Sequence, residues 1–116
     1  MLVIGGKKEE QKSSGILIAT PAGSYAWAKS AGGKTLPLTA KKIEYVVREP
    51  YIGRLTKPKM TNGILGSSQS ITLISNIWEK HNGVVVIDSY KKEFEFKNGD
   101  KLVARAAKQP LNFICF

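Results

Sequence analysis

The sequence has 116 residues, and 18 basic against 9 acidic side chains give it a net charge of +9. Its apolar fraction of 42% and charged fraction of 23% are ordinary for a globular protein and exclude disordered, collagen-like and coiled-coil chains. One cysteine, Cys115, and one histidine, His81, exclude an internal disulfide and a metal site of clustered cysteines or histidines. No stretch approaches the roughly 20 apolar residues that span a bilayer. We therefore expect a cytoplasmic, soluble protein with a single domain, residues 1–116.

The first third of the chain combines short strands with one helix. Apolar runs bounded by glycine and proline predict strands, and the polar run between them predicts a loop. From Gly23 to Ala31 the alanines favour a short helix, with Ser24 as its N-cap and Gly32-Gly33 as its end. The strands and the loop are, in order, residues 1–4, 7–14 (the loop) and 15–19.

The rest of the chain carries β signals. The continuous β-branched run 84–87 predicts a strand buried on both faces. The alternation at 93–97 turns Phe94 and Phe96 inward, and Asn98-Gly99 then predicts a hairpin to the next strand. Further turns are predicted at Asn62-Gly63 and Asn82-Gly83. The remaining strands are residues 43–48, 71–74, 101–106 and the apolar run 111–116.

These elements predict a mainly β fold. About seven to nine short strands and one short helix favour a layered antiparallel β-sandwich. The alternative is an α+β domain with more helix than the pattern reveals.

The usual catalytic patterns are missing from the sequence. Gly33-Lys34-Thr35 matches the end of a phosphate-binding P-loop, but Ala28 stands where that pattern needs glycine. His81 falls in a predicted solvated turn and Cys115 in an apolar strand. Among the acidic residues, Asp88 is predicted to start a turn, and Glu93 and Glu95 are predicted to lie on the solvent face of a strand. We therefore assign no catalytic residue and no metal ligand.

The informative segment runs from Ile16 to Trp27, a strand followed by a tight turn and a helix start. N–H groups at a helix start attract oxygen-rich ligands, and small side chains allow a ligand close to the backbone. Tyr25 and Trp27 add flat rings on which a base or a pyridine ring could stack. The alternative is that the helix simply packs on a sheet, with Trp27 in the core.

This segment resembles the signature of the NAD kinases, in which a strand leads into a Thr-Pro-Thr-Gly-Ser-Thr-Ala-Tyr turn and the following helix closes on Ser-Ala-Gly-Gly. The later run from Val86 to Val103 is also similar to the end of that family's chains. Ala22 and Tyr25 stand where threonine is usual, and Trp27 stands where tyrosine is usual. The matching positions are Thr20, Pro21, Gly23, Ser24, Ala26, Ser30, Ala31, Gly32 and Gly33.

The resemblance implies a C-terminal β-sandwich domain whose signature turn contacts NAD or NADP. The family transfers a phosphoryl group from ATP or polyphosphate, with magnesium, to the 2′-hydroxyl of the NAD adenosine ribose. Its base is the aspartate of a Gly-Gly-Asp-Gly-Thr motif in the N-terminal domain, and neighbouring subunits of a homo-oligomer complete each site. That motif is absent from this sequence, so we expect the chain to be inactive alone. The implied NAD-binding residues are Thr20, Pro21, Ala22, Gly23, Ser24, Tyr25, Ala26 and Trp27.

Other functions fit parts of the pattern. The basic excess, concentrated between Lys29 and Lys59, attracts anions and would suit a β module that binds nucleic acid. The predicted burial of Phe94 and Phe96 argues against nucleic-acid binding, because proteins that bind single strands expose their aromatic rings. A stand-alone assembly domain, related to lipid or sugar kinases, would use the apolar run 111–116 as its contact surface.

Overall fold

The computed structural model describes residues 1–77, 82–88 and 91–109. Within these residues, strands dominate and the helical content is one 3₁₀ turn and one helix of a single turn. The strands are β1 (Leu2–Ile4), β2 (Lys7–Glu9), β3 (Gly15–Ala19), β4 (Lys42–Arg48), β5 (Asn62–Gly66), β6 (Ser70–Ile74), β7 (Gly83–Val86), β8 (Glu93–Phe96) and β9 (Lys101–Arg105). The 3₁₀ turn is Gly23–Tyr25, and helix α1 is Trp27–Ser30.

The strands form three antiparallel sheets. A four-stranded sheet has the order β2-β1-β6-β9, a three-stranded sheet the order β3-β4-β5, and β7 pairs with β8 alone. Every pairing between these strands is antiparallel, so short turns can join neighbouring strands. The predicted mainly β architecture with one short helix is confirmed.

The core lies where the four-stranded sheet meets the three-stranded sheet. Strand side chains alternate between faces, so every second residue of β4 contributes to it. Ile71 from β6 is completely buried in this layer. Packing one apolar sheet face on another is the arrangement of a β-sandwich. The buried cluster consists of Leu2, Ile43, Tyr45, Val47, Leu65 and Ile71.

Strand β4 is also covered on its opposite face. Glu44 and Val46, which alternate with the core residues, are buried there. A Cβ atom placed on Gly33 would come within 2.9 Å of Val46 Cγ2 and 3.0 Å of Glu44 Oε1. The segment that follows α1 therefore lies directly on β4, and the central strand holds this region in place.

Two predictions about the first half of the chain were wrong. Lys7–Glu9 belong to strand β2 and not to a loop, because the turn at Gly5-Gly6, with Gly5 at φ +58°, folds them back onto β1. Asn62-Gly63 lies within β5 and does not form a turn. Gly63 serves packing instead, since a Cβ atom there would lie 2.7 Å from Cε1 of Tyr45, its partner on β4.

The hairpin predicted at Asn98-Gly99 was also wrong. The chain does turn there, with Gly99 at φ +87°, but β8 pairs with β7 and β9 pairs with β6. The turn carries the chain from the two-stranded sheet to the four-stranded sheet. A local pattern predicts a change of direction, but only the competition between sheet edges decides which strand the chain joins.

The burial predicted for the two-stranded sheet was wrong as well. The strand at 84–87 was predicted to be buried on both faces. Val84 and Val86, which share one face of β7, are exposed instead. Phe94 is 40% exposed and lies under Lys92, whose Nζ is 5.1 Å from the ring centroid, while Phe96 is half-buried. A sheet of two strands has too little surface to enclose both sets of side chains.

Some predictions fall outside the described residues, namely those for His81, Cys115 and the run 111–116. The turn predicted at Asn82-Gly83 adjoins them, and Gly83 is the first residue of β7. In the described part of the chain, no helix is long and apolar enough to span a membrane. Nor do three or more histidine, cysteine, aspartate or glutamate side chains come together as metal ligands in the ranges given above.

Glu9 joins the end of β2 to the loop before β5. Its Oε2 accepts a hydrogen bond from the Lys59 backbone N–H at 3.0 Å. Its Oε1 accepts from the Met60 backbone N–H at 3.0 Å and from the Gln11 side-chain amide at 2.9 Å. Partial burial alone would raise the pKa of Glu9, but these donors and the charge of Lys59 together lower it below the ordinary value of 4.5. The bonds therefore favour the ionised carboxylate.

This lowered pKa predicts a pH dependence of stability. A carboxylate with a depressed folded-state pKa stabilises the fold above its unfolded pKa, and the contribution disappears as the pH falls through the folded pKa. We expect the free energy of unfolding to fall between about pH 5 and pH 3, and Glu9→Gln to flatten that fall. Urea unfolding across this range measures it. The exposed Glu93 on β8 gives the control Glu93→Gln, and an equal flattening in that variant would contradict the assignment.

Candidate functional site

The bend from β3 into α1 is held by its own backbone. The Ser24 N–H donates to the Thr20 carbonyl at 2.9 Å, and the Ala26 N–H donates to the Gly23 carbonyl at 3.1 Å. The Gly23 N–H donates to Thr20 Oγ1 at 3.3 Å. These three N–H groups are therefore already paired within the protein and are not donors left free for a ligand.

Ser24 ties the bend to the segment that follows the helix. Its side chain is completely buried, and its Oγ donates to the Pro21 carbonyl at 2.6 Å while accepting from the Leu36 N–H at 2.8 Å. Among the residues that the structure describes, no side-chain hydrogen bond caps either helical element, so the predicted N-cap role of Ser24 was wrong. The hydroxyl fixes the shape of the bend from within.

The predicted end of the helix is confirmed. The Gly33 N–H donates to the Ala28 carbonyl at 2.8 Å and the Gly32 N–H donates to the Lys29 carbonyl at 3.0 Å, which is the Schellman arrangement. Gly32 adopts φ +92°, a conformation that side chains with a Cβ rarely take. The closing glycines direct the chain onto β4.

The bend exposes small and aromatic side chains together. Trp27 is 59% exposed and Tyr25 53% exposed, so the alternative that placed Trp27 in the core was wrong. Of the eight residues predicted to contact NAD, Ser24 alone is buried, and Pro21 and Gly23 are half-buried. The exposed members are Thr20, Ala22, Tyr25, Ala26 and Trp27.

Arg48 is a neighbour of the bend that sequence reasoning missed. Its guanidinium carbon lies 4.7 Å from the centroid of the Trp27 ring, a cation–π contact. Arg48 is the last residue of β4, which pairs with β3 at the strand that leads into the bend. The pairing sets Arg48 opposite Gly15, the first residue of β3, and the contact with Trp27 joins two residues that lie far apart in the sequence and share no motif.

Glu44 also lies against the segment behind the bend. It is 3% exposed, and its Oε1 accepts a hydrogen bond from the Lys34 backbone N–H. In a P-loop the N–H groups of this segment would face a phosphate, but here one of them faces a carboxylate of the protein itself. The rejection of Gly33-Lys34-Thr35 as a P-loop agrees with this contact. An acid within the apolar run of β4 was the signal that could have identified Glu44.

Comparison with known proteins identifies the family. No protein-family model matches the chain. The sequence is 33% identical over 91 residues to a probable NADH kinase of Oryza sativa subsp. japonica, a match that covers 78% of this chain and 27% of that protein. The chain belongs to the NAD kinase family. An NAD kinase of Thermoplasma volcanium is 29% identical over 105 residues, which is 90% of this chain and 36% of that relative.

The chain corresponds to only a part of its NAD kinase relatives. A bifunctional NADP phosphatase/NAD kinase of Methanococcus maripaludis is 30% identical over 110 residues, or 95% of this chain, but the match covers 18% of that relative. The chain thus spans between 18% and 36% of the length of the Methanococcus, Oryza and Thermoplasma relatives. This extent and the β-rich architecture are consistent with a C-terminal domain of an NAD kinase.

Proposed function

We propose that this chain is the dinucleotide-binding, C-terminal domain of an NAD kinase-type phosphotransferase, and that the bend from Thr20 to Trp27 contacts NAD or NADP. The observation that supports this proposal is the exposure of Trp27 and Tyr25 beside small residues, on a bend that its own hydrogen bonds keep rigid. A preformed surface binds with less ordering of its own groups, which is why rigidity favours affinity.

Each part of the bend has a different role in this proposal. The Trp27 ring offers the face not covered by Arg48 to a planar ring of the ligand. Ala22 and Ala26 allow the ligand to approach the backbone closely, because their side chains end at Cβ. Ser24 positions the bend from its buried place and does not touch the ligand.

The chemistry of phosphoryl transfer is assigned to the part of an NAD kinase that carries the Gly-Gly-Asp-Gly-Thr motif. Transfer needs a base near the attacking hydroxyl, a positioned phosphoryl donor and a metal ion that neutralises charge. The described residues bring together no carboxylate cluster suited to magnesium, so this proposal gives them no part in holding that ion. The chain's part is to bind and orient the dinucleotide, and a homo-oligomer would bring neighbouring subunits to the same site.

Titration with NAD tests the bend directly. We expect saturable changes in the amide resonances of Thr20 and of residues 22–27 in NMR spectra of the 116-residue chain when NAD or NADP is added at millimolar concentration. Trp27→Ala should weaken binding roughly 2- to 13-fold, since stacking on an aromatic ring contributes about 0.5–1.5 kcal/mol beyond its buried area.

The control removes another exposed ring. Phe94→Ala on β8 takes away a partly exposed aromatic side chain of the two-stranded sheet and should leave NAD affinity unchanged. The proposal fails if millimolar NAD leaves the resonances of the bend unmoved, or if Phe94→Ala and Trp27→Ala have the same effect.

Activity measurements test the division of labour. The chain with NAD, magnesium and either ATP or polyphosphate should form no NADP, and mixing it with a separately produced N-terminal domain of an NAD kinase should restore formation. NADP production by the chain alone would contradict the assignment of catalysis to the other domain.

A further inference from the structure

The bend assigned to the dinucleotide has no charge of its own to meet a phosphate. Residues 20–27 include no lysine, arginine, aspartate or glutamate. Three of their backbone N–H groups, those of Gly23, Ser24 and Ala26, already donate within the bend. Both NAD and NADP carry a negatively charged pyrophosphate between their two nucleosides. A site for either ligand on this bend therefore needs a positive charge from another segment.

Arg48 brings such a charge to the bend. Its guanidinium carbon lies 4.7 Å from the centroid of the Trp27 ring, and its side chain is 31% exposed. The guanidinium is thus close to the bend and accessible from solvent at the same time. Contact with the face of the ring uses the positive charge and leaves the N–H donors of the guanidinium to bind an anion.

Glu49 holds this arginine without satisfying it. Among the described residues, the one ion pair of Arg48 is with Glu49, and the 3.8 Å between Nη2 and Oε1 exceeds hydrogen-bond length. The Glu49 carboxylate is itself bound by the Ser14 hydroxyl, which donates to Oε2 at 2.5 Å. Glu49 also adopts φ +49°, a left-handed conformation that is rare outside glycine and is concentrated at ligand sites. The guanidinium is therefore oriented but keeps donors for a stronger acceptor.

We propose that Arg48 binds a phosphate group of the dinucleotide, an inference that rests on the proposed function of the bend. In a nucleotide a single ribose separates the planar ring from the phosphate. A ring stacked on the open face of Trp27 thus carries a phosphate past the edge of that ring, toward the guanidinium. The paired N–H groups of arginine match two phosphate oxygens, so the phosphate replaces the distant Glu49 carboxylate as the partner of Arg48.

Substitution of Arg48 tests the contact. Arg48→Gln should weaken NAD binding about tenfold or more, because hydrogen bonds to a charged group are lost. Arg48→Lys keeps the charge without the paired N–H groups, so its affinity should lie between those of wild type and Arg48→Gln. The matched control is Arg105→Gln on β9, an exposed arginine of the four-stranded sheet, which should leave NAD affinity unchanged. NMR titrations that follow the bend give the dissociation constants.

NAD and NADP distinguish the two phosphates that are open to Arg48. If the residue binds the pyrophosphate, Arg48→Gln should weaken both ligands by the same factor. If it binds the 2′-phosphate, Arg48→Gln should weaken NADP alone. Unchanged affinity for both ligands would overturn the role of Arg48 and leave the proposed function of the bend intact. Absence of saturable shifts with either ligand in wild type would instead overturn the proposed function, and this inference with it.

Nucleosides separate phosphate binding from mere support of the Trp27 ring. Adenosine and nicotinamide riboside carry the rings of NAD without phosphate, and their 5′-phosphates and adenosine 2′-phosphate each add one group. Wild type should bind at least one of these nucleotides more tightly than its nucleoside, and Arg48→Gln should remove that preference while leaving nucleoside affinity unchanged. Equal losses for nucleoside and nucleotide would show that Arg48 only orients the ring, which overturns the inference.

Two further outcomes keep the inference open to refutation. Wild type without any preference for nucleotides over nucleosides would overturn it even if the Arg48 variants fail to fold. Lys29, an exposed cation on α1, is the neighbouring alternative in the sequence. A preference for nucleotides that is lost in Lys29→Gln and kept in Arg48→Gln would assign the phosphate to Lys29 and contradict the role of Arg48.

Discussion

Ile71→Ala should lower the free energy of unfolding by about 2–5 kcal/mol, the usual cost of truncating a fully buried isoleucine. Ile71 is completely buried on β6, within the cluster that joins the four-stranded sheet to the three-stranded sheet. Its removal leaves a cavity at the contact of the two layers, where strands on both sides limit collapse. Since domains of this size have total stabilities of only about 5–15 kcal/mol, the variant should be marginally folded.

The same truncation at an exposed isoleucine provides the control. Ile52 is 64% exposed, and Ile52→Ala should change stability by about 0.5 kcal/mol or less. Urea unfolding followed by circular dichroism compares the two. Similar midpoints for Ile71→Ala and Ile52→Ala would show that the two layers do not share a common core at Ile71.

Gly33→Ala should lower the free energy of unfolding by about 1–3 kcal/mol, which is the usual cost of overpacking. The effect should lie in the upper part of that range. The added Cβ atom would lie 2.7 Å from the Ala28 carbonyl oxygen and 2.9 Å from Val46 Cγ2. The Ala28 carbonyl belongs to the backbone and accepts a hydrogen bond from the Gly33 N–H. It therefore cannot move away from the added Cβ atom without breaking the hydrogen bond that ends the helix. The proposed contact between the bend and NAD predicts that affinity for NAD falls as the bend changes shape.

Gly6→Ala is the matched control for this substitution. A Cβ atom on Gly6 would have no atom of the described residues within 4 Å, and the Gly6 backbone lies outside the left-handed region. The change should be neutral within about 0.5 kcal/mol. Thermal unfolding and the NAD titration measure both variants, and a neutral Gly33→Ala would contradict the close packing of residue 33 on β4.

The sequence determined the local features whose causes lie within a few residues. The strands at 15–19 and 43–48 follow from compact runs of apolar side chains, and the helix end at Gly32-Gly33 follows from the conformational freedom of glycine. The motif of the bend was also readable, because its proline, glycines and small residues act over neighbouring positions. The family resemblance rested on these same residues.

Tertiary structure decided what depends on contacts between distant segments. Whether β9 joins β8 or β6 was settled by competition between sheet edges, which an Asn-Gly turn does not encode. Arg48 reaches the Trp27 ring, and Glu44 reaches the Lys34 N–H, only because β4 is held under the bend by pairing and by its buried side chains. Local pattern determines which elements form, whereas the environment of each side chain follows from which surfaces the assembled sheets bury together.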